Sequence, residues 1–154
     1  MAALSFREAT MQLVCPAGNL PALQAAVDAG ANAVYAGFRD QTNARAFPGL
    51  NFSDDELRAG VRYAHAKGAK VYLALNTYPD SARVRDWYSA VDKAAALGCD
   101  AIIAAEMAVL DYAARTHPGL PRHLSVQGSA TTAPALKYAF ERFGISRAVL
   151  PRVL

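Results

Sequence analysis

The chain alternates short, continuously apolar runs with longer segments whose apolar residues recur every three or four positions. A short apolar run bounded by turn residues is typical of a buried strand, and the three-to-four spacing is typical of an amphipathic helix. The apolar runs cover residues 11–15, 33–37, 71–73, 101–103, 123–126 and 145–150. The pattern therefore predicts six strands separated by helices.

A recurring junction joins the helices to the strands. In four places a helical segment ends at a glycine and an apolar run begins a few residues later; these glycines are Gly30, Gly68, Gly98 and Gly144. Glycine readily takes the left-handed conformation that closes a helix before a short turn. Because the runs that follow are continuously apolar, we expect parallel strands that are covered on both faces.

Five helices are predicted between these strands. Asn19 can cap the first helix, and Ser53 with Glu56 has the spacing of a capping box at the start of the second. The third is expected to begin at Asp80 or Ser81 and to run to residue 97, and the last two to cover 107–115 and 132–143. Strict alternation of strands and helices requires right-handed crossovers and a parallel sheet.

Two closures of such a sheet compete, an open doubly wound sheet and a (β/α)₈ barrel. The turn after the first strand, residues 16–20, has a single glycine and therefore lacks a nucleotide-binding fingerprint. Polar residues also follow every strand, which favours the barrel. A full barrel needs about 250 residues. We therefore expect an α/β fold in which residues 11–154 form the N-terminal portion of a TIM-type barrel, incomplete at the C-terminus, with residues 1–10 as an extension outside the fold.

Composition narrows the possible functions. Hydrophobic residues make up 53% of the chain and charged residues 19%, which is typical of a globular protein. The net charge of +3 arises from 16 basic and 13 acidic residues that are scattered along the sequence, so a nucleic-acid-binding surface is disfavoured. Two cysteines in dissimilar contexts and the lack of a long apolar run or leader predict a cytoplasmic protein with no membrane span.

The strand ends carry the candidate chemistry. The irregular loop 40–52 follows the second strand, where parallel α/β folds place their ligands. Residues just beyond the strands should share one rim of the barrel, and the substrate-binding candidates there are Asn43, Arg45, Asn76, Thr77, Gln127, Ser129 and Arg152. Amides, hydroxyls and two guanidiniums suit a small anion such as a carboxylate.

Several of these polar residues also have a purely structural interpretation. Asn19 can be only a helix cap, and Asn76 and Gln127 can satisfy loop backbone. Glu106 is the candidate general base, but it can equally sit in a first helical turn, where the helix dipole favours it. The three histidines show neither metal-ligand spacing nor an obvious acid partner, and we interpret His65, His117 and His123 as structural.

Six motifs, in this order, resemble the collagenase-like peptidase family U32. They are Val-Cys-Pro-Ala-Gly-Asn-Leu at 14–20, Thr-Asn-Ala-Arg at 42–45, Gly-Leu-Asn-Phe at 49–52, Leu-Asn-Thr at 75–77, Ser-Val-Gln at 125–127 and Val-Leu-Pro-Arg-Val-Leu at 149–154. The resemblance runs from about Met11 to the end of the sequence. Within the family, the motifs are most similar to the ubiquinone-biosynthesis branch, the UbiU-like proteins.

The resemblance implies a hydroxylase subunit. UbiU-like proteins form a heterodimer with a UbiV-like protein in oxygen-independent hydroxylation of the ubiquinone precursor ring, with prephenate implicated as the hydroxyl source. Their [4Fe-4S] cluster is held by four cysteines C-terminal to the region seen here. Cys15 and Cys99 match none of these ligands, so this part of the protein is expected to hold no cluster and to be inactive alone. A U32 peptidase, an RNA-modifying member that hydroxylates tRNA or rRNA, and a non-catalytic scaffold subunit remain alternatives.

Overall fold

The computed structural model describes residues 11–152, in which six strands alternate with five α-helices. The elements are β1 (Val14–Pro16), α1 (Leu20–Asp28), β2 (Ala33–Ala36), α2 (Asp54–Ala66), β3 (Lys70–Leu75), α3 (Val84–Leu97), β4 (Ala101–Ala104), α4 (Met107–Thr116), β5 (Arg122–Leu124), α5 (Ala133–Phe143) and β6 (Ile145–Ala148). A short 3₁₀ helix, Val126–Gly128, follows β5. The predicted extension 1–10, and Val153 and Leu154, lie outside the described residues.

All six strands form one parallel sheet in the order β1-β2-β3-β4-β5-β6. Each strand pairs with the next one along the chain, as the staves of a barrel do; Leu73 of β3, for example, lies opposite Ile102 of β4. Among residues 11–152 no ladder joins β6 to β1, so the barrel is not closed. The predicted fold class, an incomplete TIM-type barrel, is confirmed.

The helix boundaries follow from local capping. The Asn19 side chain accepts a hydrogen bond from Ala22 N at 2.9 Å, and Ser53 and Glu56 make both bonds of the predicted capping box. Gly98 and Gly144 end α3 and α5 with φ of 79° and 59°. These positive values require a residue without a Cβ penalty, which explains the glycine junctions.

Several predicted boundaries were wrong. Helix α3 begins at Val84 rather than at residue 80 or 81, because Asp80 instead accepts the amide of Ala82 through Oδ1 at 2.9 Å and forms a turn. Strand β1 lies further along the chain than residues 11–15. Strand β5 stops at Leu124 because Ser125 Oγ accepts the amide of Gln127 and opens the 3₁₀ helix.

The sheet has two unlike faces. Its outer face packs against the helices in a large apolar core, in which Val71, Leu73 and Ile102 are fully buried. The residues that alternate with these along each strand point to the inner face. That face holds a much smaller apolar cluster around Tyr72 and Ala101. Within the part of the chain that the structure describes, no helix is long and apolar enough to cross a membrane.

Candidate functional site

An open cavity of about 630 Å³ lies at the inner face and the carboxyl ends of the strands. Four predicted site residues line it: Asn43, Arg45, Asn76 and Gln127. They come from the segments after β2, β3 and β5, which are distant in sequence and adjacent in the sheet. The structure therefore brings these four amide and guanidinium side chains together at one mouth of the sheet.

The loop after β2 is held together by two buried asparagines. Asn43 Nδ2 donates to Asn51 Oδ1 at 2.9 Å and to the Phe38 carbonyl at 3.3 Å, while Asn51 Nδ2 donates to the Arg45 carbonyl at 2.6 Å. Asn51 has a φ of 74°, a conformation that asparagine tolerates better than most residues. A Cβ at Gly37 would lie 2.2 Å from Asn43 Nδ2, so the loop packs directly on bare backbone. Asn43 thus shapes the cavity wall.

This hydrogen-bonded loop carries Arg45, whose side chain is exposed. Its amide donates to Asn43 Oδ1 at 3.1 Å and its carbonyl accepts from Asn51, so the hydrogen bonds of the loop use only its backbone. The guanidinium lines the cavity without an ion pair to any residue between 11 and 152. Such a fork is suited to a carboxylate or a similar planar oxyanion.

Asn76 joins the ends of two neighbouring strands. Its Oδ1 accepts the amide of Ala44 at 2.9 Å, which ties the segment after β3 to the loop after β2. The amide nitrogen of Asn76 has no hydrogen-bond partner among the described residues and belongs to a cavity-lining side chain. Thr77, by contrast, donates its hydroxyl to the Gln41 carbonyl and is not part of the lining.

Gln127 lies in the 3₁₀ helix after β5, and its backbone is fixed from two sides. Its amide donates to Ser125 Oγ at 3.2 Å, and its carbonyl accepts the hydroxyl of Tyr78, which reaches across from the segment after β3. These bonds leave the side-chain amide of Gln127 on the cavity wall. Ser129, with a φ of 52°, ends the 3₁₀ helix and faces a second, smaller groove beside Tyr138.

The structure leaves the remaining predicted residues away from the cavity. Glu106 is the N-cap of α4, where its Oε1 accepts the amide of Ala108 at 3.0 Å, so its structural interpretation accounts for the observed contact. Arg152 is exposed and does not line the cavity. Thr77, Glu106, Ser129 and Arg152 are therefore not brought together with Arg45.

The floor of the cavity carries four residues that the sequence analysis did not assign to the site: Tyr35, Tyr72, His123 and Arg147. The rings of Tyr72 and His123 meet edge to face with centroids 4.7 Å apart, and the Arg147 guanidinium lies 5.6 Å from the centroid of Tyr72. The alternation of side chains along a strand could have identified these residues. Successive residues point to opposite faces of a sheet, and each of the four lies next to a residue that faces outward.

The expectation that the histidines lack acid partners was wrong for two of them. His65 Nε2 lies 2.8 Å from Asp100 Oδ2, and His117 Nε2 lies 2.7 Å from Asp92 Oδ1, both on the outside of the fold. His123 differs from both. It is buried in the cavity floor, and no described residue hydrogen-bonds its ring.

The electrostatics of the cavity favour an anion. Burial, with a further contribution from Arg147 and Lys70, lowers the pKa of His123 to about 4, so its imidazole is neutral near pH 7. Arg45 and Arg147 supply positive charge, and none of the described residues that line the cavity is acidic. Most of the remaining lining is apolar or aromatic. The cavity can therefore hold a small anion that has an apolar body.

The donor set does not fit an iron–sulfur cluster. Cys15 is half-buried on β1, whereas Cys99 is buried between α3 and β4, and burial raises the pKa of the Cys99 thiol to about 12. A cluster requires several thiolates around one point. Among residues 11–152 no three His, Cys, Asp or Glu side chains are grouped so that they could hold one metal ion.

Comparison with known proteins gives the family. Residues 18–154 match the model of Peptidase family U32. The chain is 33% identical over 144 residues to the tRNA hydroxylation protein P of Helicobacter pylori, covering 94% of this chain and 34% of that protein. It is 31% identical over 148 residues to the tRNA hydroxylation protein P of Escherichia coli, covering 93% and 31%. A collagenase of Porphyromonas gingivalis is 33% identical over 132 residues, covering 86% and 31%.

Two further facts frame these likenesses. The chain spans about a third of the length of the curated relatives it matches. The solved structure of the U32 peptidase Mk0906 aligns with a TM-score of 0.72 at 15% identity, over 97% of this chain and 62% of that one, and this likeness concerns the fold alone. The family match over nearly the whole chain agrees with the motifs at the strand ends, and the chain belongs to peptidase family U32.

Proposed function

We propose that this chain forms the substrate-binding wall of an oxygen-independent hydroxylase of the U32 family that acts on the ubiquinone precursor ring. In this proposal it is a UbiU-like subunit whose partner is a UbiV-like protein, and the cavity holds the small anionic hydroxyl donor, for which prephenate is the candidate. The observation that carries the proposal is the cavity itself, which joins two cationic side chains to an apolar wall and has no acidic lining among the described residues.

Each cavity residue has a distinct part in binding such an anion. The Arg45 guanidinium is expected to pair with a carboxylate, and the free amide nitrogens of Asn76 and Gln127 to orient neighbouring oxygens. Tyr35 and Ile103 provide an apolar wall that excludes water from the body of the ligand. A [4Fe-4S] cluster would supply the redox chemistry, and its ligands would have to come from residues other than 11–152.

A second candidate function is hydroxylation of tRNA. It is favoured by the relatives, several of which are named tRNA hydroxylation proteins. The donor-binding wall could be the same in both reactions, with only the hydroxyl acceptor differing. The scattered charge of the chain favours a small acceptor over a nucleic acid, because tRNA binding depends on clustered Lys and Arg.

The test is a complementation experiment with the full-length protein in a host that lacks its own copy. Cells grown without oxygen are assayed for ubiquinone and, in parallel, for hydroxylated tRNA nucleosides by mass spectrometry. We expect the wild type to restore ubiquinone. Restoration of tRNA hydroxylation alone would replace the first proposal by the second, and restoration of neither would contradict both.

Substitutions then connect the activity to the cavity. Arg45→Ala should lower the restored product by about tenfold or more, since a hydrogen bond to a charged group contributes about 1.5–3 kcal/mol. Arg62→Ala, which removes an exposed arginine on α2, is the matched control and should leave the product unchanged. Equal yields from the two variants would remove Arg45 from the site.

A further inference from the structure

The cavity floor contains a cluster that neither the sequence motifs nor the rim explains. His123 of β5 lies opposite Arg147 of β6 in the sheet register, and Ile103 of β4 lies on its other side. Tyr72 of β3 closes the group, with its ring against His123 and beneath the Arg147 guanidinium. The four side chains all line the cavity.

This cluster is more polar than packing alone requires. The strand-to-strand neighbours on the outer face of the same sheet are aliphatic, as with Leu73 and Ile102. On the inner face a cation and an imidazole stand side by side, and the one hydrogen bond that the Arg147 side chain makes to the described residues is with Gln12 Oε1, at 2.5 Å. Gln12 is exposed, so this contact is easily exchanged for a ligand.

The charges around His123 all have the same sign. Arg147 on β6 and Lys70 on β3 both disfavour its protonated form. The other titratable neighbour is the Tyr72 phenol, while β4 contributes the apolar Ile103. Within the described part of the chain, no carboxylate is placed to offset the two cations. The floor therefore combines uncompensated positive charge with a neutral imidazole.

We infer that Arg147 and His123 form an anion-binding floor in this cavity, and that His123 takes up one proton from solvent when a carboxylate of the ligand binds there. The bound carboxylate neutralises Arg147 and adds an acceptor for the imidazole N–H. Protonation of His123 then becomes favourable, and the imidazolium donates a hydrogen bond to the anion. This deepens the proposed function by assigning a second anion-binding point, but it concerns binding and not hydroxylation.

The test measures binding to the full-length protein with phenylacetate, whose ring suits the apolar wall and whose carboxylate is ionised above pH 5.5. Phenylacetamide, of nearly the same shape and without charge, is the matched ligand. Calorimetry at pH 6 in two buffers with different ionisation enthalpies counts the protons taken up. We expect net uptake with phenylacetate and none with phenylacetamide. Binding of phenylacetate without proton uptake, or no difference between the two ligands, would overturn the inference.

The pH profile gives a second measure. If the bound anion raises the pKa of His123 by about two to three units, phenylacetate should bind about four- to thirtyfold more tightly at pH 5.5 than at pH 8. His123→Gln should abolish this dependence, while His65→Gln, which alters a histidine on the outside of the fold, should retain it. A profile that is the same in the wild type and in His123→Gln would contradict the role of His123.

Arg147 is tested by affinity. Arg147→Gln should weaken phenylacetate binding by about tenfold or more and leave phenylacetamide unaffected, and Arg147→Lys should recover part of the loss because it restores the charge. Arg62→Gln is the control. Because the proton count is made on the wild type, the inference stays testable even if a floor variant does not fold. Failed complementation with intact proton-linked binding would reject the proposed reaction and keep the binding floor.

Discussion

The outer and inner faces of the sheet are built from alternate residues of the same strands, yet they differ in almost every physical respect. On β4, Ile102 points outward into the helix layer and is completely buried, whereas Ile103 points inward and lines the cavity. On β3, Val71 and Leu73 are likewise fully buried beneath the helices, and Tyr72 between them contacts His123 on the inner face.

The difference separates stability from binding. The outer face joins the strands to all five helices through one apolar core, which is the main source of folding free energy. The inner face keeps a guanidinium, an imidazole and two phenol rings around open space. Polar groups left with few protein partners are a cost to folding that a ligand can offset. We therefore expect outer-face changes to affect stability, and inner-face changes to affect binding.

The largest expected effect comes from the neighbouring isoleucines of β4. Ile102→Ala should lower the free energy of unfolding by about 2–5 kcal/mol, because it leaves a cavity in close-packed surroundings. Ile103→Ala should have a clearly smaller effect, because its side chain already borders open space. Denaturant unfolding of the two variants measures both values. Equal losses would show that the inner face is as important to stability as the outer one.

The next effect is a dependence of stability on pH. His123 has a pKa of about 4 in the folded protein and 6.5 as a free side chain, so the unfolded chain binds more protons between these values. Stability from this group is fully present above about pH 6.5 and falls as the pH drops towards 4. The expected loss is about 3 kcal/mol.

Substitution of His123 isolates this contribution. Carboxyl groups with lowered pKa values, such as Asp28 and Glu56, also lose stabilising contacts in acid, so the wild-type curve alone is ambiguous. The decline between pH 6.5 and 4 should be smaller in His123→Gln and unchanged in Arg62→Gln, which removes an exposed arginine. If His123→Gln followed the wild-type curve, the imidazole would not be buried in its neutral form.

A third prediction concerns the wall formed by the loop after β2. In Gly37→Ala the new methyl group would lie 2.2 Å from Asn43 Nδ2, so the asparagine must move and lose its bonds to Asn51 and Phe38. We expect a loss of about 2 kcal/mol in unfolding free energy, together with weaker phenylacetate binding. Gly119→Ala is the control, because a Cβ there meets no atom within 4 Å. Binding that survives Gly37→Ala intact would show that Arg45 does not depend on this loop.

The sequence predicted the fold well because the fold depends on signals that are local. Apolar runs give the strands, and Asn19, Ser53 and the closing glycines give the helix ends. The errors fell where a side chain competes with regular structure. Asp80 diverts the chain into a turn before α3, and Ser125 ends β5 early by accepting a backbone amide.

The site was predicted in part for the same reason. Residues just after the strands could be placed on the rim from sequence position alone, which located Arg45, Asn76 and Gln127. The floor could not be located this way. His123 and Arg147 lie within strands, and their meeting with Tyr72 depends on the register of three strands, with an irregularity between β5 and β6. The sequence pattern favours Arg152, whereas Arg147 is the arginine that lines the cavity. The reason is that the sixth apolar run continues to residue 150, although β6 ends at Ala148.

The smallest expected effect tests whether a change in the helix layer reaches the cavity. Ser53 caps α2 and ends the loop that carries Arg45, so the cap could affect either face. Ser53→Ala should lower the free energy of unfolding by about 1 kcal/mol, because the amide of Glu56 loses its acceptor, and Ser53→Asp should restore most of it. Phenylacetate affinity should be unchanged in both, since the loop is fixed by Asn43 and Asn51 and by the pairing of Phe38 with Phe52. Weaker binding in Ser53→Ala alone would mean that the helix cap holds the loop in place, and the two faces would then be coupled through residue 53.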